Sequence, residues 1–276
     1  MESELFMGAK RVVAEKKNVV AEKKTTIRLA AVGDLHCKKD SVGQFAPWLS
    51  TLNGRVDVLL LCGDLTDYGT PEEAEVLAKE LSSVRVPMLG VLGNHDFESG
   101  RPEDVARILG QAGVTLLSGD SVEVHGVGFT GVKGFAGGFG AHTLGHWGEP
   151  EIKRFVDYAI EESLKLESGL ARLRTEHRVV LLHYAPVRGT IEGEPLEIFP
   201  FLGCSRLEEP LLRYPLSAVF HGHAHRGQLE AKTSRDQPVY NVAMPLLRRS
   251  FADRPPYRVV ELTAKTAEGK LPLAGE

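Results

Sequence analysis

One pattern of apolar and polar positions repeats along the first half of the chain. A short apolar run, of the length of a buried strand, stops at a glycine and passes at once to Asp, His or Asn. Thr26–Val32 runs into Gly33-Asp34, Asp57–Cys62 into Gly63-Asp64, and Pro87–Leu92 into Gly93-Asn94. Between these runs the apolar spacing becomes helical. Phe45–Leu52 predicts a covering helix with Pro47 in its first turn. Thr70-Pro71-Glu72-Glu73 has the N-cap threonine, N1 proline and N3 glutamate of a capping box, so a helix opens at Pro71 and runs to Ser82. Pro102–Gln111 predicts a third helix. Strands alternating with helices build a parallel sheet, which gathers ligand-binding groups at the carboxyl ends of its strands.

The pattern changes after Val114. Val114–Leu117 and Ser121–Thr130 alternate and are joined by Gly119-Asp120, which predicts an antiparallel hairpin. Gly131–Gly148 is a glycine-rich long loop, and loops of that length are usually functional or mobile. Pro150–Glu176 predicts a long helix, weakened over its last turns by Gly169. Arg178–Leu182 is a strand ending at His183, followed by a second long loop over 184–204. Ser205–Glu208 resembles another capping box, cut short by Pro210. Ala218–Phe220 is a short strand running into His221-Gly222-His223-Ala224-His225, and Val239–Ala243 and Tyr257–Leu262 supply late strands. Two helix-covered sheets packed together satisfy both halves, giving one α/β domain over residues 26–265. Residues 1–25 stand apart. Val-Val-Ala-Glu-Lys-Lys occurs at 12–17 and again at 19–24, two heptads that fall short of a coiled coil and read as a polar tail. Residues 266–276 form a C-terminal tail.

Composition narrows the partners. A formal net charge of -4 over 276 residues argues against nucleic acid, whose binders are usually basic. Cys37, Cys62 and Cys204 are an odd trio without CxxC spacing, which suits a reducing compartment and makes cytoplasmic the expected location. No run approaches the ~18 apolar residues of a membrane span, and the N-terminus lacks the apolar segment and cleavage site of a secretory signal. The oligomeric state is not legible.

The strand ends collect Asp34, His36, Asp64, Asn94, His95, His183, His223 and His225. Any one of them alone is an ordinary turn or capping residue. Together they are a mixed nitrogen and oxygen donor set without thiolate, suited to Mn, Fe, Co or Zn rather than to a structural cysteine-type zinc site. Asp34 and His36 are two apart, so in extended backbone they point the same way. With His95 set aside, seven ligands exceed one tetrahedral ion and suit two divalent ions about 3.5–4 Å apart sharing a bridging group.

These blocks, Asp34-x-His36, Gly63-Asp64, Gly93-Asn94-His95-Asp96, a lone His183 and Gly222-His223-x-His225, resemble in their order the calcineurin-like metallophosphoesterases. The resemblance spans residues 33–225. It implies a four-layer α/β/β/α sandwich of two mixed sheets covered by helices, and a dinuclear metal site. It implies one ion held by Asp34, His36, Asp64 and His225, and another held by Asp64, Asn94, His183 and His223, with Asp64 bridging. The run Gly63-Asp64-Leu65-Thr66-Asp67 is most similar to the branch of small phosphodiesterases acting on cyclic nucleotides or glycerophosphodiesters. No large cap domain is evident, so the substrate class stays open beyond a small phosphorylated molecule.

Phosphate esters resist hydrolysis because water is a weak nucleophile and the phosphorus is shielded by negative oxygens. Two cations meet both obstacles, through a bridging hydroxide and by charge neutralisation. His95 is then the candidate proton donor to the leaving oxygen, with Asp96 as the carboxylate that orients it; the alternative for His95 is a structural hydrogen bond. Asp67 is either a supporting residue or a turn residue before the Thr70 cap. His221 reads as a supporting histidine outside the ligand set, His142 and His146 as substrate contacts or surface histidines, and Cys37 and Cys62 as buried packing residues. Lys133, Arg188 and Arg226 are phosphate contacts or solvated surface charges. The resemblance implies a metal-dependent phosphoesterase, with a phosphodiesterase as the first reading. A phosphomonoesterase or phosphoprotein phosphatase is the second reading, and a non-catalytic scaffold on the same fold the third.

Overall fold

A computed structural model describes residues 23–266. The repeated N-terminal segment falls almost wholly outside them, as does most of the C-terminal tail. In the first half, strands β1 (Lys23–Val32), β2 (Val58–Cys62), β3 (Met88–Val91) and β4 (Val114–Leu116) alternate with helices α1 (Ala46–Leu49), α2 (Pro71–Leu81) and α3 (Pro102–Gln111). The second half adds β5 (Ser121–Val124), β6 (Val127–Val132), α4 (Pro150–Arg172), β7 (His177–Leu182), α5 (Phe199–Leu202), α6 (Glu208–Leu211), β8 (Ala218–His221), β9 (Glu230–Lys232), β10 (Pro238–Asn241), α7 (Met244–Ser250) and β11 (Arg258–Thr266).

These strands make two mixed sheets. One has the order β11-β1-β2-β3-β4, the other β5-β6-β7-β8-β10-β9. In the first, β1 to β4 are parallel and β11 returns antiparallel along β1, with Leu29 opposite Val260. In the second, β6, β7, β8 and β10 are parallel and β5 and β9 close the edges antiparallel.

Side-chain alternation along the strands makes the layers. Ala30, Val32, Leu59 and Leu61 face outward onto Leu49, Leu77, Leu81 and Leu109 of the covering helices and the turn after them. Leu29, Ala31, Val58, Leu60 and Cys62 face inward, against Phe129, Val179, Leu181 and Phe220 of the other sheet. On the far side Val180, Leu182 and Val219 pack under Leu166 and Leu170 of α4 and Leu211 of α6. The result is the four-layer α/β/β/α sandwich. β2 is buried on both faces, which is why it reads as an unbroken apolar run rather than an alternating one. Truncating a fully buried residue such as Leu61 to alanine costs about 2–5 kcal/mol.

The capping box forms as expected. Glu73 N donates to Thr70 Oγ1 at 3.4 Å and Thr70 N donates to Glu73 Oε2 at 3.2 Å. Four local expectations are corrected. β1 begins at Lys23, three residues before the expected Thr26. The hairpin turn is His125-Gly126, with φ of 53° and 78°, and it joins β5 to β6; both residues take the left-handed conformation that a two-residue hairpin loop demands. Val114–Leu116 instead pairs parallel with β3, so Gly119-Asp120 lies on the crossover between sheets. α4 stops at Arg172 because Leu173 turns to extended backbone and enters the core under α4. Ser205 caps nothing: its Oγ accepts from Gly140 N at 2.9 Å, across the two long loops. β9 and α7 were not anticipated. Among the described residues no helix is long and apolar enough to cross a membrane.

Candidate metal centre

The carboxyl ends of β1, β2, β3, β7 and β8 converge between the two sheets, and each delivers one of the motif blocks. The turns that carry them are unusual. Asp34, His36, Asp64 and His223 hold φ values of 56°, 45°, 48° and 70°, a left-handed region that residues with a Cβ seldom enter and that collects at functional sites. Asp34 and His36 therefore reach the same site from successive left-handed turns, not from the extended backbone expected. Close approach is built in as well: a Cβ on Gly93 would lie 2.1 Å from Asp64 Oδ1, so only glycine lets β3 end against that carboxylate.

The predicted ligands are brought together in two groups, each with donor atoms within 4.8 Å of one another: Asp34, His36 and His225, and Asp64, His183 and His223; His36, Asp67 and His95 form a third such group that shares His36. Asp34 Oδ1 lies 3.0 Å from His225 Nε2, and both Asp34 oxygens accept from His223 N at 2.9 Å. Asn94 joins the second group, its Oδ1 2.9 Å from His183 Nε2. Asp64 stands between the groups. Its Oδ1 is 3.3 Å from His183 Nε2, and its Oδ2 is 3.7 Å from His36 Nε2.

Ring nitrogens facing away from the centre are held by oxygen acceptors. His183 Nδ1 donates to Cys62 O at 3.1 Å, and His223 Nε2 donates to Phe201 O at 3.1 Å. His36 Nδ1 donates to Asp67 Oδ1 at 3.1 Å. Such partners fix the tautomer and aim the other nitrogen's lone pair at the centre. The consequence for His36 is a buried Nε2 with no hydrogen-bond partner. For His183 it is that Nε2, Asn94 Oδ1 and Asp64 Oδ1 come together, at 2.9 and 3.3 Å from Nε2. Converging lone pairs and an orphaned buried nitrogen are what a cation relieves, so the donor set fits divalent metal.

Charge follows the same geometry. Burial opposes ionisation of Asp64, but His183, with further help from His95, outweighs it and holds the carboxyl well below its ordinary value. Burial also opposes the charge on His183, and the Asp64 carboxylate overcomes it, lifting the imidazole to about 9. Without metal this favours a protonated His183, whose Nε2–H then lies between Asn94 Oδ1 and Asp64 Oδ1. For Asp34, burial is offset by the His225 hydrogen bond and the His183 charge, leaving the group below its usual range. Burial keeps His223 down at about 3.

His95 lies at the open side of this cluster. Its ring meets that of His36 edge-on at 4.5 Å, its Nε2 is 4.0 Å from Asp64 Oδ2, and its Nδ1 donates to the Asp67 carbonyl at 2.6 Å. The expected pairing of His95 with Asp96 is corrected. Asp96 is fully buried and accepts from Gly93 N at 2.8 Å, Leu65 N at 3.2 Å, and Thr66 N and Oγ1 at 2.8 and 2.6 Å. Those main-chain donors claim its carboxylate, which fastens the turn after β2 to the turn after β3 while His95 rests on Asp67. Asp67 is more than a turn residue: its carboxylate and its carbonyl hold two histidines.

His221 falls outside both groups, buried, with Nε2 2.8 Å from Thr190 Oγ1 and burial lowering it to about 4. His146 pairs with Asp157 at 2.6 Å on the exposed side of α4, and Arg188 pairs with Glu192 at 2.8 Å. Cys37, Cys62 and Cys204 are free and buried. Lys133 is not a solvated charge. Its Nζ sits 4.8–5.3 Å from the rings of Tyr158, Phe135, Phe97 and Tyr184, and burial lowers it to about 8. Tyr184, which sequence reasoning passed over, stacks against His183 and His223 with centroids at 5.4 and 4.4 Å. Its place directly after His183 was the available signal.

The comparisons with known proteins agree with the geometry. No curated protein matches the chain by sequence. The fold is similar to that of a phosphopantetheinyl hydrolase from Mycobacterium tuberculosis, at 16% identity and a TM-score of 0.60, covering 84% of this chain and 95% of that one. It is also similar to a putative 5'-nucleotidase from Staphylococcus aureus, at 18% identity and a TM-score of 0.50, covering 79% of this chain and 48% of that one. The family model for calcineurin-like phosphoesterase matches residues 27–227, which take in every strand end that carries a motif block. The chain belongs to the calcineurin-like phosphoesterases and is a hydrolase of phosphoesters.

Proposed function

We propose that the protein is a dinuclear-metal phosphodiesterase acting on a small nucleotide-like or glycerophosphodiester substrate. The observation that carries this reading is the position of Asp64, with one oxygen toward His183 and the other toward His36. In this reading Asp34, His36, Asp64 and His225 hold one ion, Asp64, Asn94, His183 and His223 hold the other, and manganese is the first metal to try. Two bound divalent ions would supply hydroxide near neutral pH and neutralise phosphoryl oxygens. The remaining work falls to the chain. The Asp67 carbonyl holds His95 Nδ1–H and leaves Nε2 4.0 Å from Asp64 Oδ2 at the edge of the cluster, from where the doubly protonated imidazolium would hand its Nε2 proton to the leaving oxygen. Asp96 does not touch the reacting atoms in this scheme; it keeps the Asp64 and Asn94 turns in register.

The branch assignment rests on Gly63-Asp64-Leu65-Thr66-Asp67, in which Asp67 has the specific task of aiming His36. Three unpaired thiols support a cytoplasmic site of action. The test is hydrolysis of bis(para-nitrophenyl) phosphate against para-nitrophenyl phosphate, with and without Mn²⁺. A metal-dependent preference for the diester is expected. A preference for the monoester would turn the reading to a phosphomonoesterase, and diesterase activity undiminished in Asp64→Ala would remove the site assignment.

A further inference from the structure

Immediately after His225 the chain enters a second concavity. Arg226 follows that histidine, Arg249 stands in the last turn of α7, and Arg258 opens β11; together they line a cavity of about 570 Å³. That volume lies within the roughly 300–1,000 Å³ of small-molecule sites. Leu246 and Phe251 give it an apolar wall. The cavity and the candidate metal centre share a piece of backbone, because Arg249 Nη1 donates to His225 O at 3.1 Å.

The charge on this wall is not balanced. Glu230 lines the cavity and is engaged by Arg258, whose Nη2 lies 2.6 Å from Glu230 Oε2 while its guanidinium lies 4.1 Å over the Tyr240 ring. Glu194 meets Arg226 through the main-chain N–H, at 2.6 Å. The side chains of Arg226 and Arg249 enter no ion pair among the described residues. Guanidinium groups are weakly hydrated forks that match phosphate oxygens two at a time, and two unneutralised ones in a cleft concentrate anions.

We infer that this cavity binds a second phosphoryl group of the substrate, so that the enzyme acts on an organic molecule with two phosphate groups, one cleaved beside His225 and one held by Arg226 and Arg249. The inference rests on the proposed reading of the Asp34, His36 and His225 cluster as a place where phosphoester is bound. Arg258, tied to Glu230 and Tyr240, forms the fixed back of the cavity.

Non-hydrolysable alkane bisphosphonates of graded chain length, each paired with the monophosphonate of the same length, test this by calorimetric titration of the metal-loaded protein. At one length or more the bisphosphonate binds about tenfold or more tighter than its monophosphonate partner, and Arg226→Gln, Arg249→Gln or the double variant removes most of that ratio. Ratios below about threefold at every length, or a wild-type advantage that survives in the double variant, overturn the inference. Hydrolysis of bis(para-nitrophenyl) phosphate is read in parallel. Its absence from the metal-loaded wild type defeats the diesterase reading, while the binding ratio still reports on the cavity.

Discussion

The Nδ1 atom of His36 lies 3.1 Å from Oδ1 of Asp67, and the same ring's Nε2 is buried without a partner. Asp67 therefore sets the tautomer of a candidate ligand it does not share. Asp67→Ala is expected to weaken metal retention about 10–100-fold while the fold persists. Metal content after dialysis against graded chelator checks this, and unchanged retention would make Asp67 a turn residue only.

His95 differs from the candidate ligands because it stands at the edge of the cluster, with its Nε2 4.0 Å from Asp64 Oδ2. His95→Gln should lower turnover about 10²–10⁴-fold for diesters with alkyl leaving groups. The loss should be much smaller for nitrophenyl esters, whose leaving oxygen needs no proton. Metal content should stay at the wild-type level. An equal loss on both substrate types would assign His95 a structural role.

The proton on His183 has consequences for the metal-free protein. The folded value of about 9 lies above the unfolded 6.5, so its stabilisation is complete below about 6.5 and disappears as pH rises through 9. His221 and His223, held down at about 4 and 3, work in the opposite direction. Their stabilisation is complete above about 6.5 and is lost as pH falls, with the depressed Asp34 and Asp64 carboxyls adding to the loss at still lower pH. Thermal melts of metal-free protein should peak near pH ~6.5 and fall on both sides, the alkaline fall being offset above pH ~8 by the depressed Lys133. Metal loading at mildly alkaline pH should expel about one proton per chain and flatten the alkaline arm. Calorimetry in buffers of different ionisation enthalpy counts that proton, and a metal-free melting temperature still rising between neutrality and pH ~8 would contradict the assignment.

Gly93 makes a steric prediction. Its missing Cβ would overlap Asp64 Oδ1 at 2.1 Å, so Gly93→Ala should displace the carboxylate. Loss of bound metal and of hydrolysis should exceed any fall in melting temperature. A variant that still binds metal at the wild-type level would show that the turn after β3 yields easily.

The parts of the structure legible in the sequence were those written locally. Strand ends were marked by glycine followed at once by Asp or Asn, and α2 by the reciprocal Thr70 and Glu73 bonds. Two helix-covered sheets followed from the change of pattern between the two halves, while the four-layer order came with the family resemblance. What escaped depended on contacts far apart in the chain. Val114–Leu116 carries the same alternation whether it pairs with β3 or with Ser121–Val124, and only the partner decides. Asp96 follows His95 directly, yet its carboxylate turns back to Gly93 and reaches across to Leu65 and Thr66. Lys133 reads as a surface cation until the rings of Phe97, Phe135, Tyr158 and Tyr184 close around it.

The left-handed backbone at Asp34, His36, Asp64 and His223 sets selection for durability against selection for activity. A side chain held at positive φ costs about 1–3 kcal/mol, and at His36 a buried unpartnered nitrogen adds to it. Libraries screened for heat resistance without an activity screen should therefore accumulate glycine or asparagine at these positions first. The strand ends would erode to inert turns while the sandwich beneath them grew more robust.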